Sequence, residues 1–189
     1  MTAEVSAVLF KADFAFWRVT EISPEFLKSQ NIRGLLLDLD NTLTTHDNPT
    51  PADGVQNWIA EVKASGVKMV IVSNNHPPRV KPFADMLGLD FICEGKKPLS
   101  SGFNRAQKMM ELPFSQLAVV GDQIFTDMLG ANLKRVRGIF VYPIEHEKTR
   151  FFKFKRWAEK PFLPKLTEAK RKTGLKIKSA YKRRKKDAS

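Results

Sequence analysis

Gly34-Leu35-Leu36-Leu37-Asp38-Leu39-Asp40-Asn41-Thr42 is the stretch on which the reading of this chain turns. Its first half is short and almost wholly apolar, and it gives way to two acids one residue apart. A strand buried on both faces has no polar side to alternate with. It therefore appears as a continuous aliphatic run, and in a parallel sheet the working groups lie beyond its carboxyl end. The stretch predicts such a strand, delivering Asp38 and Asp40 to a site. If the backbone stays extended past the strand, the two-residue spacing sends both side chains to the same side.

The same pattern recurs along the chain. Thr50-Pro51-Ala52-Asp53 combines a capping residue, a proline and an acid, which predicts a helix start there. Val55, Trp58, Ile59 and Val62 continue it at helical spacing, and Gly66 stops it. Residues 67–72 predict a second strand, 79–87 a helix despite Pro82, 91–93 a short strand and 99–110 a helix. Residues 117–120 predict another buried strand running into Gly121-Asp122, followed by a helix over 126–133 and a last strand over 138–142 closed by Pro143. Strands and helices alternating through short connections imply an α/β fold, a parallel sheet with helices on both faces.

The strand ends then collect Asp38 and Asp40, Ser73-Asn74-Asn75, Lys96-Lys97-Pro98, and Gly121-Asp122 with Asp127 on one edge. Four carboxylates brought together repel one another and resist burial unless a cation joins them. A donor set of oxygens without His or Cys favours a hard ion, Mg²⁺ above all. With the acids kept ionised, one carboxylate can attack phosphorus and form an aspartyl-phosphate, which divides a difficult displacement into two easier steps. Ser73, nearby backbone N–H groups, Lys97 and the metal would stabilise the charge that develops on the phosphoryl oxygens. The blander roles are a turn for Asp38 and Asp40, a cap for Ser73 and a helix-start acid for Asp127.

These four segments resemble, in order, the four motifs of the haloacid dehalogenase (HAD) superfamily. The resemblance covers roughly residues 30–145. More narrowly the chain is similar to the YqeG-type, IIIA-type HAD phosphatases and to the related mitochondrial phosphatidylglycerophosphate phosphatases. Ile22-Ser23-Pro24-Glu25 and Val141-Tyr142-Pro143-Ile144 share in that likeness. The resemblance implies a three-layer α/β/α Rossmann-like fold. It makes Asp38 the nucleophile and a Mg²⁺ ligand, and Asp40 the general acid–base, also touching Mg²⁺ through its carbonyl. It has Ser73 bind the transferring phosphoryl group with Asn74 beside it, Lys97 stabilise that group and the nucleophile, and Asp122 hold Mg²⁺ with Asp127 next to it. Lys96 competes with Lys97 for the motif lysine; Pro98 points to Lys97.

The gaps between motifs carry their own information. Asp38 to Ser73 spans 35 positions and Ser73 to Lys97 spans 24, so neither holds a folded cap domain. A capless, open site suits a phosphate on something large, such as a lipid headgroup. The leading expectation is therefore a Mg²⁺-dependent phosphomonoesterase converting phosphatidylglycerophosphate to phosphatidylglycerol. The rivals are a HAD phosphatase for a soluble metabolite, phosphoprotein or nucleic-acid phosphate, and a non-catalytic nucleic-acid- or ribosome-binding protein. Outside the motifs, His76 and Arg79 have a substrate-facing and a solvated reading each. His46 and His146 have no evident partner, and Asn132 reads as structural.

Charge divides the chain. Residues 1–147 hold 15 Lys and Arg against 17 Asp and Glu, whereas residues 148–189 hold 17 against 3, which supplies the whole excess behind the +12 net charge. The boundary separates a nearly neutral catalytic body from a basic aromatic tail that begins Arg150-Phe151-Phe152-Lys153-Phe154-Lys155-Arg156-Trp157. The tail has three readings: an anchor for an anionic membrane surface, a nucleic-acid-binding segment, or a terminal helix packed on the body with a solvated end. Phe10, Phe14, Phe16 and Trp17 are either core or part of that membrane surface. A 42% hydrophobic composition excludes a wholly disordered chain, and the single Cys93 excludes an internal disulfide and a cysteine-rich zinc site. A reducing, cytoplasmic setting with peripheral membrane association follows as the expectation. No apolar run reaches the length of a membrane-spanning helix, and the N-terminus lacks the pattern of a secretory signal.

Overall fold

The computed structural model describes residues 9–46, 48–145 and 149–164. His146 and the terminal basic run of the sequence lie outside them. In chain order the elements are β1 (Phe14–Phe16), α1 (Pro24–Ser29), β2 (Gly34–Leu37), α2 (Val55–Ala64), β3 (Lys68–Val72), α3 (Pro77–Leu87), β4 (Asp90–Ile92), α4 (Ser100–Met110) and β5 (Leu117–Gly121). A π-helical turn over Ile124–Met128 runs into α5 (Leu129–Leu133), and β6 (Arg137–Val141) and α6 (Arg150–Glu159) complete the fold.

All strand pairs are parallel, in the order β1-β6-β5-β2-β3-β4. Every strand therefore ends on the same edge, and the central β2 and its neighbours β5 and β3 bring three motifs side by side. Strand alternation assigns the core. Leu35 and Leu37 face the layer formed with Trp58, Ile59, Val62 and Phe83 of α2 and α3. Leu36 faces the opposite layer, with Phe103, Ala106 and Met110 of α4. The sheet is thus sandwiched, as a three-layer α/β/α fold requires.

Several local expectations are corrected. The helix expected to start at Thr50-Pro51 begins instead at Val55, because Gly54 sits in the left-handed region (φ +78°) and breaks the backbone there. The Thr50 hydroxyl donates to Asn48 Oδ1 (2.8 Å), and the Thr50 carbonyl accepts from Thr44 Oγ1 (2.6 Å). Helix α3 begins earlier than expected, with Pro77 and Pro78 in its first turn, where a missing N–H costs nothing. The strand β1 and the helix α1 extend the fold beyond the expected elements. Phe14 and Phe16 are core, packing edge-on against Phe26, whereas Trp17 is half-exposed over Tyr142.

Among the described residues the chain between motifs contains only α2 and β3 in the first gap and α3 and β4 in the second, with no folded cap between them. Residues 149–164, beyond the charge step, pack on the body. Glu159 is fully buried, Phe162 and Leu163 join a cluster with Phe10, Phe125 and Phe140, and the Tyr142 hydroxyl donates to the Pro164 carbonyl. Among the described residues no helix is long and apolar enough to cross a membrane.

Candidate active site

Asp38 is the first residue past β2, yet its N–H still donates to the Val120 carbonyl of β5 (2.9 Å), so the extended path continues into the loop. The turn that follows closes through Asn41, whose positive φ (62°) and N–H bond to the Thr44 carbonyl (2.6 Å) reverse the chain. Asp40 is bridged to Thr44 in that turn. The two acids then diverge in their partners. Lys97 Nζ donates to Asp38 Oδ1 at 2.5 Å, while Thr42 Oγ1 donates to Oδ2 at 3.3 Å. Asp40 receives Asn75 Nδ2 on one oxygen (2.6 Å) and Arg79 Nη2 on the other (2.8 Å).

Lys97 is the pivot. Its ammonium joins Asp38 to Asp127, whose Oδ1 lies 2.7 Å away, and it is nearly fully buried. Neighbouring Lys96 is exposed, so of the two lysines only Lys97 turns into the acidic cluster. Burial alone would pull the Lys97 ammonium down, but the carboxylates of Asp127 and Asp38 outweigh it and hold it above its ordinary value. Asn74 fixes the lysine's backbone rather than facing outward alone: its amide donates to the Lys97 carbonyl (3.0 Å), and its Oδ1 accepts the Lys97 N–H (2.7 Å). The expected substrate-contacting residue is therefore also the clamp on the motif lysine. Ser73 is buried at the end of β3, and its hydroxyl accepts the Asn75 N–H (3.1 Å).

Carboxylate oxygens of Asp38, Asp122 and Asp127 all lie within 4.8 Å of one another. Close approach of the motif loop depends on Gly121, since a Cβ there would meet the Asp127 carboxylate at 2.3 Å. Asp122 is wholly buried, and its Oδ1 has no hydrogen-bond partner among the described residues. Burial, reinforced by Asp38 and Asp127, raises its carboxyl well above the usual range against the opposing pull of Arg156. Burial likewise pushes Asp38 up to about 6, with Lys97 opposing and Asp127 and Asp40 adding to the rise. An orphaned buried oxygen among three clustered acids fits a hard divalent cation, which would satisfy it and hold the acids ionised. Asp40 stands apart from this cluster through its side chain.

A cavity of about 200 Å³ opens over these groups, lined by Asp38, Asp40, Ser73 and Lys97 and walled by His46 and Phe152. Three contributors were not assigned to the site from the sequence. Arg79, read as equally suited to solvent, pairs with Asp40 because it stands in the first turn of α3, directly after the β3 motif. His46 lies across the cavity from Phe152, their rings 5.8 Å apart. Most unexpected is α6. Arg156 binds both the Asp122 carboxylate and its carbonyl, and Lys155 Nζ donates to Gln123 Oε1 (2.5 Å). Glu159 accepts from Arg156 and from the Phe125 N–H (2.9 Å), tying the helix to the Asp122 loop; burial raises its carboxyl against those contacts. His76 instead faces Glu94 at the exposed rim, and Asn132 donates to the Leu9 and Lys11 carbonyls, a structural role as expected.

Comparison with known proteins places this geometry. A model of the haloacid dehalogenase-like hydrolases matches residues 26–133. The chain is 40% identical over 148 residues to the probable phosphatase YqeG of Bacillus subtilis, spanning 78% of this chain and 86% of that protein. Among solved structures, an uncharacterized protein from Listeria monocytogenes serotype 4b superposes with a TM-score of 0.52 at 18% identity. It covers 62% of this chain and 85% of its own, and it supports the fold. With the four motifs on one edge of a parallel sheet and the family match running across all of them, this chain belongs to the haloacid dehalogenase-like hydrolases.

Proposed function

We propose that the enzyme is a phosphatase, a Mg²⁺-dependent phosphomonoester hydrolase working through an aspartyl-phosphate on Asp38. The observation that carries this is the unequal treatment of two acids two residues apart. Asp38 faces a buried cation and two further carboxylates, whereas Asp40 is held by Arg79 and Asn75 apart from that cluster. The first environment holds a carboxylate where a nucleophile is needed, and the second leaves another carboxylate beside it, outside the metal-ligand cluster, to serve proton transfer.

Asp38, Asp122 and Asp127, with the Asp40 carbonyl, would hold Mg²⁺. When bound, the ion neutralises the approaching phosphate and the developing negative charge. Lys97 holds the nucleophile in place and adds a positive charge beside the phosphoryl oxygens, and Ser73 and Asn74 line their seat. Asp38 attacks phosphorus while Asp40 donates a proton to the departing alkoxide. Asp40 then takes a proton from the water that cleaves the acyl phosphate, and Asp38 is regenerated. Phosphate and alcohol leave, so protons and charge balance over the cycle.

The substrate reading is phosphatidylglycerophosphate, from the resemblance noted above and from the site's dimensions. A cavity of about 200 Å³ accommodates a phosphate and little more, and the remainder of the substrate stays outside an uncapped mouth. Phosphate release with Mg²⁺ and with EDTA, comparing this lipid in mixed micelles with soluble monoesters, tests both levels. Asp38→Asn is expected to lower turnover by about 10⁴-fold or more with the circular dichroism spectrum unchanged. Full activity in that variant removes the nucleophile assignment, and preference for a soluble ester removes the lipid.

A further inference from the structure

Helix α6 has two unlike sides. Phe152, Lys155, Arg156 and Glu159 turn inward to the cavity and the Asp122 loop. Phe151, Phe154 and Trp157 turn outward and are 72%, 66% and 63% exposed. At spacings of three residues, these rings share one arc of the helix surface. Exposed cations flank them at Arg150, Lys153 and Lys160. Three large aromatics in water on one ten-residue helix are not required by the core: the cluster that Phe162 and Leu163 join contains none of them. An apolar arc bordered by Lys and Arg is the pattern of a helix lying in the interface of an anionic bilayer.

We propose that the outer face of α6 docks the enzyme on an anionic lipid surface, with Phe151, Phe154 and Trp157 entering the acyl boundary and the flanking cations meeting headgroup phosphates. The charge is complementary. Beyond residue 164 the sequence adds 11 further Lys and Arg against two acids, a charge that an anionic surface attracts. A single-stranded nucleic acid fits less well, since bases stack on ring faces and one face of Phe154 and one of Trp157 are already taken. Phe154 and Trp157 already stack on each other, with centroids 5.8 Å apart and planes at 26°. The same helix lines the cavity with Phe152 and Lys155, so docking would set the mouth of the site at the level of the headgroups. This deepens the lipid-phosphatase reading and rests on it for its purpose, but not for its geometry.

The test uses the full chain and a triple variant, Phe151→Ser, Phe154→Ser and Trp157→Ser. Co-sedimentation with vesicles of phosphatidylcholine, alone or with about one-third phosphatidylglycerol, reads the docking. Hydrolysis of a soluble phosphomonoester reads the site independently. The wild type is expected to prefer the anionic vesicles, and the variant to lose about tenfold or more of that partitioning while keeping its soluble-ester turnover within about twofold. Equal partitioning of the variant and the wild type overturns the proposal, as does loss of RNA binding with vesicle binding unchanged. An inactive wild type that still binds vesicles through these rings would sink the phosphatase reading and leave the docking surface standing.

Discussion

The carboxyl edge of the sheet and helix α6 hold the same site from opposite sides, by different means. On the edge, charge is buried and paired at short range: Lys97 lies between Asp38 and Asp127 at 2.5 and 2.7 Å, on loops that follow strands of one parallel sheet. Helix α6 contributes long cationic side chains from a surface element, and its hold on the body runs through Arg156, Glu159 and the apolar contacts just after it. Strand-end backbone positions the chemistry, and a helix tied to the body by side chains shapes its entrance.

The sharpest way to break this contrast is Lys97→Met. Removing the cation from between two buried acids is expected to cost about 3–5 kcal/mol of stability in metal-free protein, together with about 10³-fold in turnover. Urea unfolding and phosphate-release kinetics would measure both. A variant as stable as the wild type would mean that the acids are not held ionised by Lys97.

A second prediction is a pH dependence. Asp38 rises from an ordinary 3.8 to about 6 in the fold, so the folded protein binds that proton more tightly than the unfolded chain. Protonation therefore favours the fold. In EDTA, the contribution of Asp38 to the thermal midpoint should fall as pH rises from about 4 to about 6, then level off. Mg²⁺ needs the ionised carboxylates, so the midpoint it adds should be larger at about pH 7 than at about pH 5. Scanning calorimetry across that range checks the sign, and a Mg²⁺ effect that shrinks with rising pH contradicts the proposed ligand set.

The smallest effect is expected on α6. Arg156→Gln removes a positive charge from Asp122 and makes the acidic cluster more attractive to a divalent ion, tightening the Mg²⁺ Kd by about three- to tenfold. Calorimetric titration with the metal alone decides it. Weakening by a similar factor would make α6 a support of the metal site rather than a competing charge.

What the sequence made legible follows the same division. Motif residues at strand ends are local patterns: an aliphatic run followed by acids predicts both the strand and the edge it serves, and Asp38, Ser73, Lys97 and Asp122 are found where that logic puts them. The start of α2 was misplaced because a capping signal at Thr50 was outweighed by the left-handed Gly54 four residues later. Arg79 was ambiguous because nothing in its neighbours reveals that Asp40, 39 residues away, is its partner. Helix α6 was read by its charge, and charge does not show which cations turn inward. Only the alternation of Phe151 with Phe152 and of Phe154 with Lys155 hints at two faces.

One pairing has a consequence for how the molecule is made. Among the described residues strand β1 pairs only with β6, and the Asp13 carboxylate that receives the Gly138 N–H is 125 residues from it in the chain. During synthesis Phe14 and Phe16 leave the ribosome with Phe26 close behind them but long before β6 exists, so the backbone edge they present to β6 stays unpaired in the meantime. The N-terminal strand is thus a latch that closes late. A nascent chain stalled before residue 137 would carry a sheet with an open sticky edge, the form most in need of a chaperone.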